Sequence, residues 1–160
     1  MKQLITYLLL AGMLLCLTGC KLNDAEYLEC IVSEIGDSQI TDDKDLIGTR
    51  VLVDSADAYT GAYTAACEAV TGRDVIFGGA SIHNRELFLS GTVQAESGKA
   101  TVRIRLNGEV FELEPDDNGQ FETTLKLENG GNYIMVVYED FSGSIELTCE
   151  YVVKGEADEG

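Results

Sequence analysis

Four kinds of residue in this chain can do chemistry: one histidine, five cysteines, a carboxylate-rich turn, and aromatics set off the apolar face of their segments. His83 lies in Ser81-Ile82-His83-Asn84-Arg85, which reads as a turn. Ser81 is close to it, but no G-x-S-x-G elbow surrounds either residue, so a nucleophile–base pair is not expected. Two-carboxylate glycosidase chemistry would need a cleft that one small domain has little chain to build. Glu114-Pro115-Asp116-Asp117-Asn118-Gly119 offers oxygen ligands of the kind calcium prefers. Against a calcium-loop pattern starting at Glu114, Leu125 falls where the closing glutamate belongs, so the segment reads as a turn between strands. Asp116 and Asn118 remain calcium-ligand candidates with Asp140, should the Glu139-Asp140 turn approach them. Gly78-Gly79 and Gly130-Gly131 lack the lysine and helix of a phosphate cradle and read as turns. No cofactor is expected.

The first twenty residues, MKQLITYLLLAGMLLCLTGC, place one positive charge (Lys2) before an apolar run from Leu4 to Leu17. The run is shorter than the roughly 20 residues of a membrane span, and small residues follow it, as in a secretory signal. Leu17-Thr18-Gly19-Cys20 resembles the lipobox of bacterial lipoproteins. That resemblance implies cleavage after Gly19, a diacylglyceryl group on the Cys20 sulfur, and an anchor on the extracytoplasmic face of the cell membrane. Whether this is a Gram-positive membrane or an outer membrane is left open. Two acyl chains are about what stable anchoring requires.

The 160 residues carry 28 acidic and 11 basic side chains, a net charge of −17. Removing residues 1–19 takes Lys2 and no acid, leaving 141 residues at −18, enough for one domain with a core. Such a balance argues against nucleic acid or anionic lipid as a direct partner. Cys30, Cys67 and Cys149 would remain in an exported chain, at spacings of 37 and 82 that fit no compact metal pattern. A Cys67–Cys149 disulfide is open, though buried thiols are favoured, since Cys149 shares a face with Ile145, Leu147 and Tyr151.

The elements that would position these groups are mostly strands. Tyr27, Leu28, Ile31, Val32 and Ile35 form a helical stripe that Asn23 or Asp24 can cap and Gly36 can stop. From Val51 onward, period two dominates: Val102, Ile104 and Leu106 face one way, Arg103 and Arg105 the other, and Asn107-Gly108 is a hairpin signal. Asn132 to Tyr138 is apolar on both faces and belongs at a sheet centre. Ala58 to Val70 fits a helix or a strand, and Gly61 with the threonines tips it to strand. Seven or so short strands at roughly ten-residue spacing argue a two-sheet sandwich.

Residues 86–153 resemble the immunoglobulin-like or fibronectin type III-like modules of bacterial surface proteins. The matching pieces are Leu89-Ser90-Gly91-Thr92-Val93, the Val102–Leu106 strand with Asn107-Gly108, Asp116-Asp117-Asn118-Gly119-Gln120-Phe121, the segment from Leu127 through Gly131-Asn132-Tyr133-Ile134, and Glu139-Asp140-Phe141-Ser142-Gly143. The resemblance implies an all-β, Ig-like antiparallel sandwich; it lacks the core tryptophan and paired cysteines of antibody domains. The expected organisation is a signal peptide (1–19), a lipidated N-terminus with a short helix and tether (20–47), the sandwich (48–154, best match 86–153), and an acidic tail (155–160). The expected role is a non-catalytic surface interaction or structural module, with an envelope protein or a glycan as partner. A small carbohydrate- or calcium-binding module is the alternative. Off-core aromatics would mark a ligand face: Phe88 and Tyr133 by alternation, Phe141 in a turn, and Tyr59 with Tyr63 paired on an outer face.

Overall fold

Asn107-Gly108 does what its sequence predicts. With φ of 43° and 97°, it closes a two-residue hairpin in which Leu106 pairs with Glu109. The computed structural model describes residues 40–54, 57–82 and 84–152. The signal segment with Cys20, the expected helix over residues 24–35, Cys30, His83 and the acidic tail lie outside the described residues.

The described chain is an antiparallel sheet of six strands: β1 (Thr49–Asp54), β2 (Asp57–Ser81), β3 (Arg85–Leu106), β4 (Glu109–Leu113), β5 (Gln120–Leu127) and β6 (Gly130–Tyr151). Its order is β1-β2-β6-β3-β4, with β5 also on β3. The expected pattern of separate short strands is corrected here. β2, β3 and β6 are 25, 22 and 22 residues long, and each runs through two of the predicted strands. The reason is a shared bend. Register slips occur at Cys67–Gly72 in β2, at Ala95–Lys99 in β3 and opposite them in β6. Ala69 and Asp140 there have φ of 50°, Gly98 69° and Gly143 145°. Bulges of this kind turn a sheet without ending its pairing.

The sheet therefore folds over on itself into two layers. One has the order β1-β2-β6-β3-β5, using Thr49–Asp54, residues 57–67, 143–151, 85–95 and β5. The other has the order β2-β6-β3-β4, from residues 72–81, 130–138, 99–106 and β4. Inward side chains of both layers form one core, including Leu87, Leu89, Ile145 and Leu147 from the first and Phe77, Ile104, Val136 and Tyr138 from the second. The layers touch directly where the Tyr63 and Tyr138 hydroxyls lie 2.6 Å apart. This is the Ig-like sandwich architecture, built from one bent sheet. β6 is central in both layers, as the two-faced apolar run Asn132–Tyr138 requires. Residues 58–70 are strand. Neither glycine pair is a turn: Gly78-Gly79 lies within β2, opposite Tyr133 and Asn132, and Gly130-Gly131 opens β6, opposite Ser81 and Ala80.

Residues 41–48 strap the outer edge of β2. Thr41 exchanges bonds with Val75 through its amide (3.1 Å) and its Oγ1 (2.9 Å). The fully buried Asp74 carboxylate accepts the Ile47 and Gly48 amides and the Tyr63 hydroxyl.

Candidate binding cleft

The three long strands join the layers at the bend; at the opposite end the sandwich is open, and a cleft of about 820 Å³ lies there. The first layer supplies Arg85 and Glu86 at the start of β3, Lys126 and Leu127 at the end of β5, and Tyr151 at the end of β6. Arg85 pairs in register with Leu127, and Leu87 with Tyr151, so Arg85 and Tyr151 share the inward face. The Arg85 guanidinium lies 5.5 Å from the Tyr151 ring centroid and donates to its hydroxyl at 2.8 Å, which holds both side chains in place. Glu86 stands opposite Lys126. The Val152 amide donates to the Glu86 carbonyl at 2.8 Å and fastens the end of β6 to β3.

The facing wall is built from turns. The Asn107 amide donates to the Gly131 carbonyl at 3.0 Å. Gly130, at φ 122°, leaves room for Asn107, because a Cβ there would sit 2.3 Å from its Oδ1. Asn132, almost fully buried, donates through Nδ2 to the Glu128 and Gly130 carbonyls (2.9 and 3.0 Å) and sets the shape of the loop that carries Glu128 and Asn129. Tyr59 lies behind this wall. Burial pushes its phenol above the ordinary range, with the neighbouring Asn132 side chain acting in the opposite direction.

The cleft therefore presents three carboxamides (Asn84, Asn107, Asn129), one ammonium, one guanidinium, two carboxylates and a tyrosine. Carboxamides both donate and accept, and mixed planar polar groups beside an aromatic ring suit a ligand dense in hydroxyls. Among the described lining residues there is no serine, threonine, cysteine or histidine.

The candidates read from sequence fall elsewhere. Phe88 is exposed (38 %) on the outer face, as its alternation predicts. Tyr133 lies outside the core cluster, yet it is buried against Gly78 and Gly131, whose missing side chains make room for its ring. The outer-face pairing of Tyr59 and Tyr63 is wrong: both are in the core. Alternation gives two faces but not which one is inside. Phe141 is also fully buried, within β6 rather than in an exposed turn, and packs 5.9 Å from Tyr138.

Asp116 caps its own turn. Its Oδ1 accepts the Asn118 and Gln120 amides, both at 2.8 Å, which holds the carboxyl below its ordinary range. Asp140 sits in the bend, its amide donating to Thr71 Oγ1. Among the described residues, no three His, Cys, Asp or Glu side chains are grouped to hold a metal ion. A Cys67–Cys149 disulfide is excluded by register: Cys149 pairs with Gly61, six residues from Cys67, or roughly 20 Å along the strand. Burial pushes the Cys67 thiol up. The cleft was missed because its residues come from three connections and three strand termini; Asn107-Gly108 was visible only as a turn.

No family model and no curated protein sequence matches the chain. Several solved structures are similar to it at low TM-scores. A carbohydrate-binding module (CBM6cm-2) from Cellvibrio mixtus lichenase 5A, in complex with cellotriose, is 8% identical with a TM-score of 0.35, over 74% of this chain and 96% of that one. A family 35 carbohydrate-binding module from Clostridium thermocellum is 11% identical with a TM-score of 0.29, over 71% and 97%. A Podospora anserina GH26-CBM35 β-(1,4)-mannanase is 20% identical with a TM-score of 0.32, over 69% of this chain and 26% of that one. Likenesses this distant carry neither a ligand nor an activity to this chain.

Proposed function

We propose that this protein is a lipid-anchored, non-catalytic binding module of the cell envelope whose open-end cleft takes a glycan. The observation that carries the ligand class is the cleft itself, about 820 Å³ with three carboxamides, paired charges and an Arg85-braced tyrosine. A flat acidic surface would favour protein contact alone, and converging acidic turns would favour calcium; the Asp116 carboxylate is instead engaged by its own turn. The anchor rests on Leu17-Thr18-Gly19-Cys20 and the apolar run before it. It gives a strongly acidic chain a hold on a membrane that its charge would otherwise avoid.

The test is thermal unfolding of the mature chain against a panel of neutral and acidic envelope oligosaccharides, with Asn107→Ala and Asn129→Ala variants beside it. A ligand at about 100 times its dissociation constant adds roughly 2.7 kcal/mol to stability. A saturable rise in midpoint that both variants weaken supports the reading; no rise with any glycan removes it. Separately, Cys20→Ala should move the protein from the membrane to the soluble fraction.

A further inference from the structure

A folded sheet of this kind has four edges, and they differ in protection and in charge. The β2 edge is covered by the strap, through Thr41 on Val75. β1 slips register between Leu52 and Asp54; it exposes Val51 and Val53 but carries one acidic residue, Asp54. β5 exposes only polar side chains and carries Lys126. Bulges, charged side chains, short strands, prolines and covering segments are how sheet edges avoid pairing with other chains. β4 is short and carries glutamates, with Pro115 beyond its end, but among the described residues it has no bulge, lysine or covering segment. It pairs with β3 alone among the described residues, in unbroken register from Val102–Leu113 to Leu106–Glu109. It also leaves Val110 56 % and Phe111 38 % exposed.

The charges around this edge state what fits it. Glu109, Glu112 and Glu114 lie on or next to the strand, with Asp116 and Asp117 following, and the strand has no lysine or arginine. Arg103, on the next strand in, is held by Glu112 at 2.6 Å, and Arg105 stands opposite Val110 one strand further from the edge. A second copy pairing about Phe111 would bring two such acidic strands together in a chain of net charge −17. From this edge we infer a second interaction surface: β4 accepts an extended polypeptide as an added strand, and the partner alternates basic with apolar residues. Backbone bonds would supply the general attraction, with Phe111 and Leu113 on one face against the apolar positions and Glu112 and Glu114 on the other against the basic ones.

The inference is independent of the glycan cleft, and its test uses a different probe. The full mature chain is mixed with a short capped synthetic peptide alternating lysine and valine, or with its glutamate–valine counterpart. Amide exchange is then followed along the chain. The lysine peptide should slow exchange of residues 109–113, its affinity should fall with added salt, and the glutamate peptide should bind about tenfold or more weakly. The exposed double variant Glu112→Lys, Glu114→Lys should reverse that preference. Equal binding of both peptides, protection at β1 or the cleft instead of β4, or no protection at all would overturn the inference. So would protection of β4 that appears on raising protein concentration alone, because the occupant would then be a second copy.

Discussion

Asp74 is the residue on which the most local structure depends. Its carboxylate is fully buried and accepts the Ile47 amide at 2.9 Å, the Gly48 amide at 3.1 Å and the Tyr63 hydroxyl, which in turn accepts from Tyr138. One side chain thus joins the strap, the first layer and the second. Asp74→Ala leaves those donors without an acceptor and should cost about 3 kcal/mol or more. Tyr138→Phe removes only the outermost bond and should cost about 1 kcal/mol. Urea unfolding of both variants gives the comparison, and equal losses would show that Asp74 is not the hub. The tyrosines add a pH dependence. Burial pushes the phenols of Tyr59, Tyr63 and Tyr138 above their usual value near 10, and for Tyr63 the Asp74 carboxylate adds to it. The folded state then keeps protons that the unfolded state loses. Stability from these groups is complete below pH 10 and falls above it, by about 1.4 kcal/mol per pH unit for each tyrosine. The tyrosinate absorbance that Tyr59→Phe, Tyr63→Phe and Tyr138→Phe variants assign to these three should therefore rise together with unfolding; their ionisation well before unfolding would contradict the burial.

At the scale of the element, the bend decides the fold, and it was the part least legible in the sequence. Asn107-Gly108 announces its hairpin, and Asn132–Tyr138 announces a central strand, because turn chemistry and two-faced apolarity are local signals. The bends are not. Glu139–Gly143 reads as an ordinary turn before a separate strand, yet pairing continues through the bend, with Lys99 on Glu139 and Cys67 on Gly143. The continuity depends on neighbouring strands bending at the same place, which no single segment encodes. The same limit misplaced Tyr59, Tyr63 and Phe141, whose facing is fixed by how the layers close. Two glycines test the account. Gly98 has φ 69° and its Cβ would lie 2.1 Å from the Asp140 carbonyl oxygen, whereas Gly108 has φ 97° and open space around it. Gly108→Ala should cost about 1 kcal/mol, from backbone strain alone. Gly98→Ala adds a backbone clash across the bend and should cost at least about 2 kcal/mol more. Equal costs in thermal unfolding would mean that the close approach at the bend is not tight.

For the molecule as a whole, the two layers are held unequally at their two ends. At the bend β2, β3 and β6 pass continuously from one layer to the other, and Ala69 and Asp140 are tied across it by Ser142 and Thr71 at 2.9 and 3.0 Å. At the open end no strand runs from one layer to the other, and the chain crosses between them through the short β2–β3 and β5–β6 connections. Local opening takes place where the fewest cooperative contacts must be lost, so the open end should be the low-free-energy side of the molecule. Without ligand, amides of Leu87, Leu127 and Tyr151 should exchange faster than those of Val93, Val102 and Tyr138, although both sets are in paired strands. A glycan seated between Lys126 or Tyr151 on one wall and Asn107 on the other would add a further link between the layers there. Its binding should then slow exchange at the open end more than at the bend, and Asn107→Ala should remove most of that difference, since the variant keeps one wall and loses the other. A ligand that raised the midpoint while protecting both ends equally would stabilise the fold without bridging the layers, and the cleft would not be where it sits.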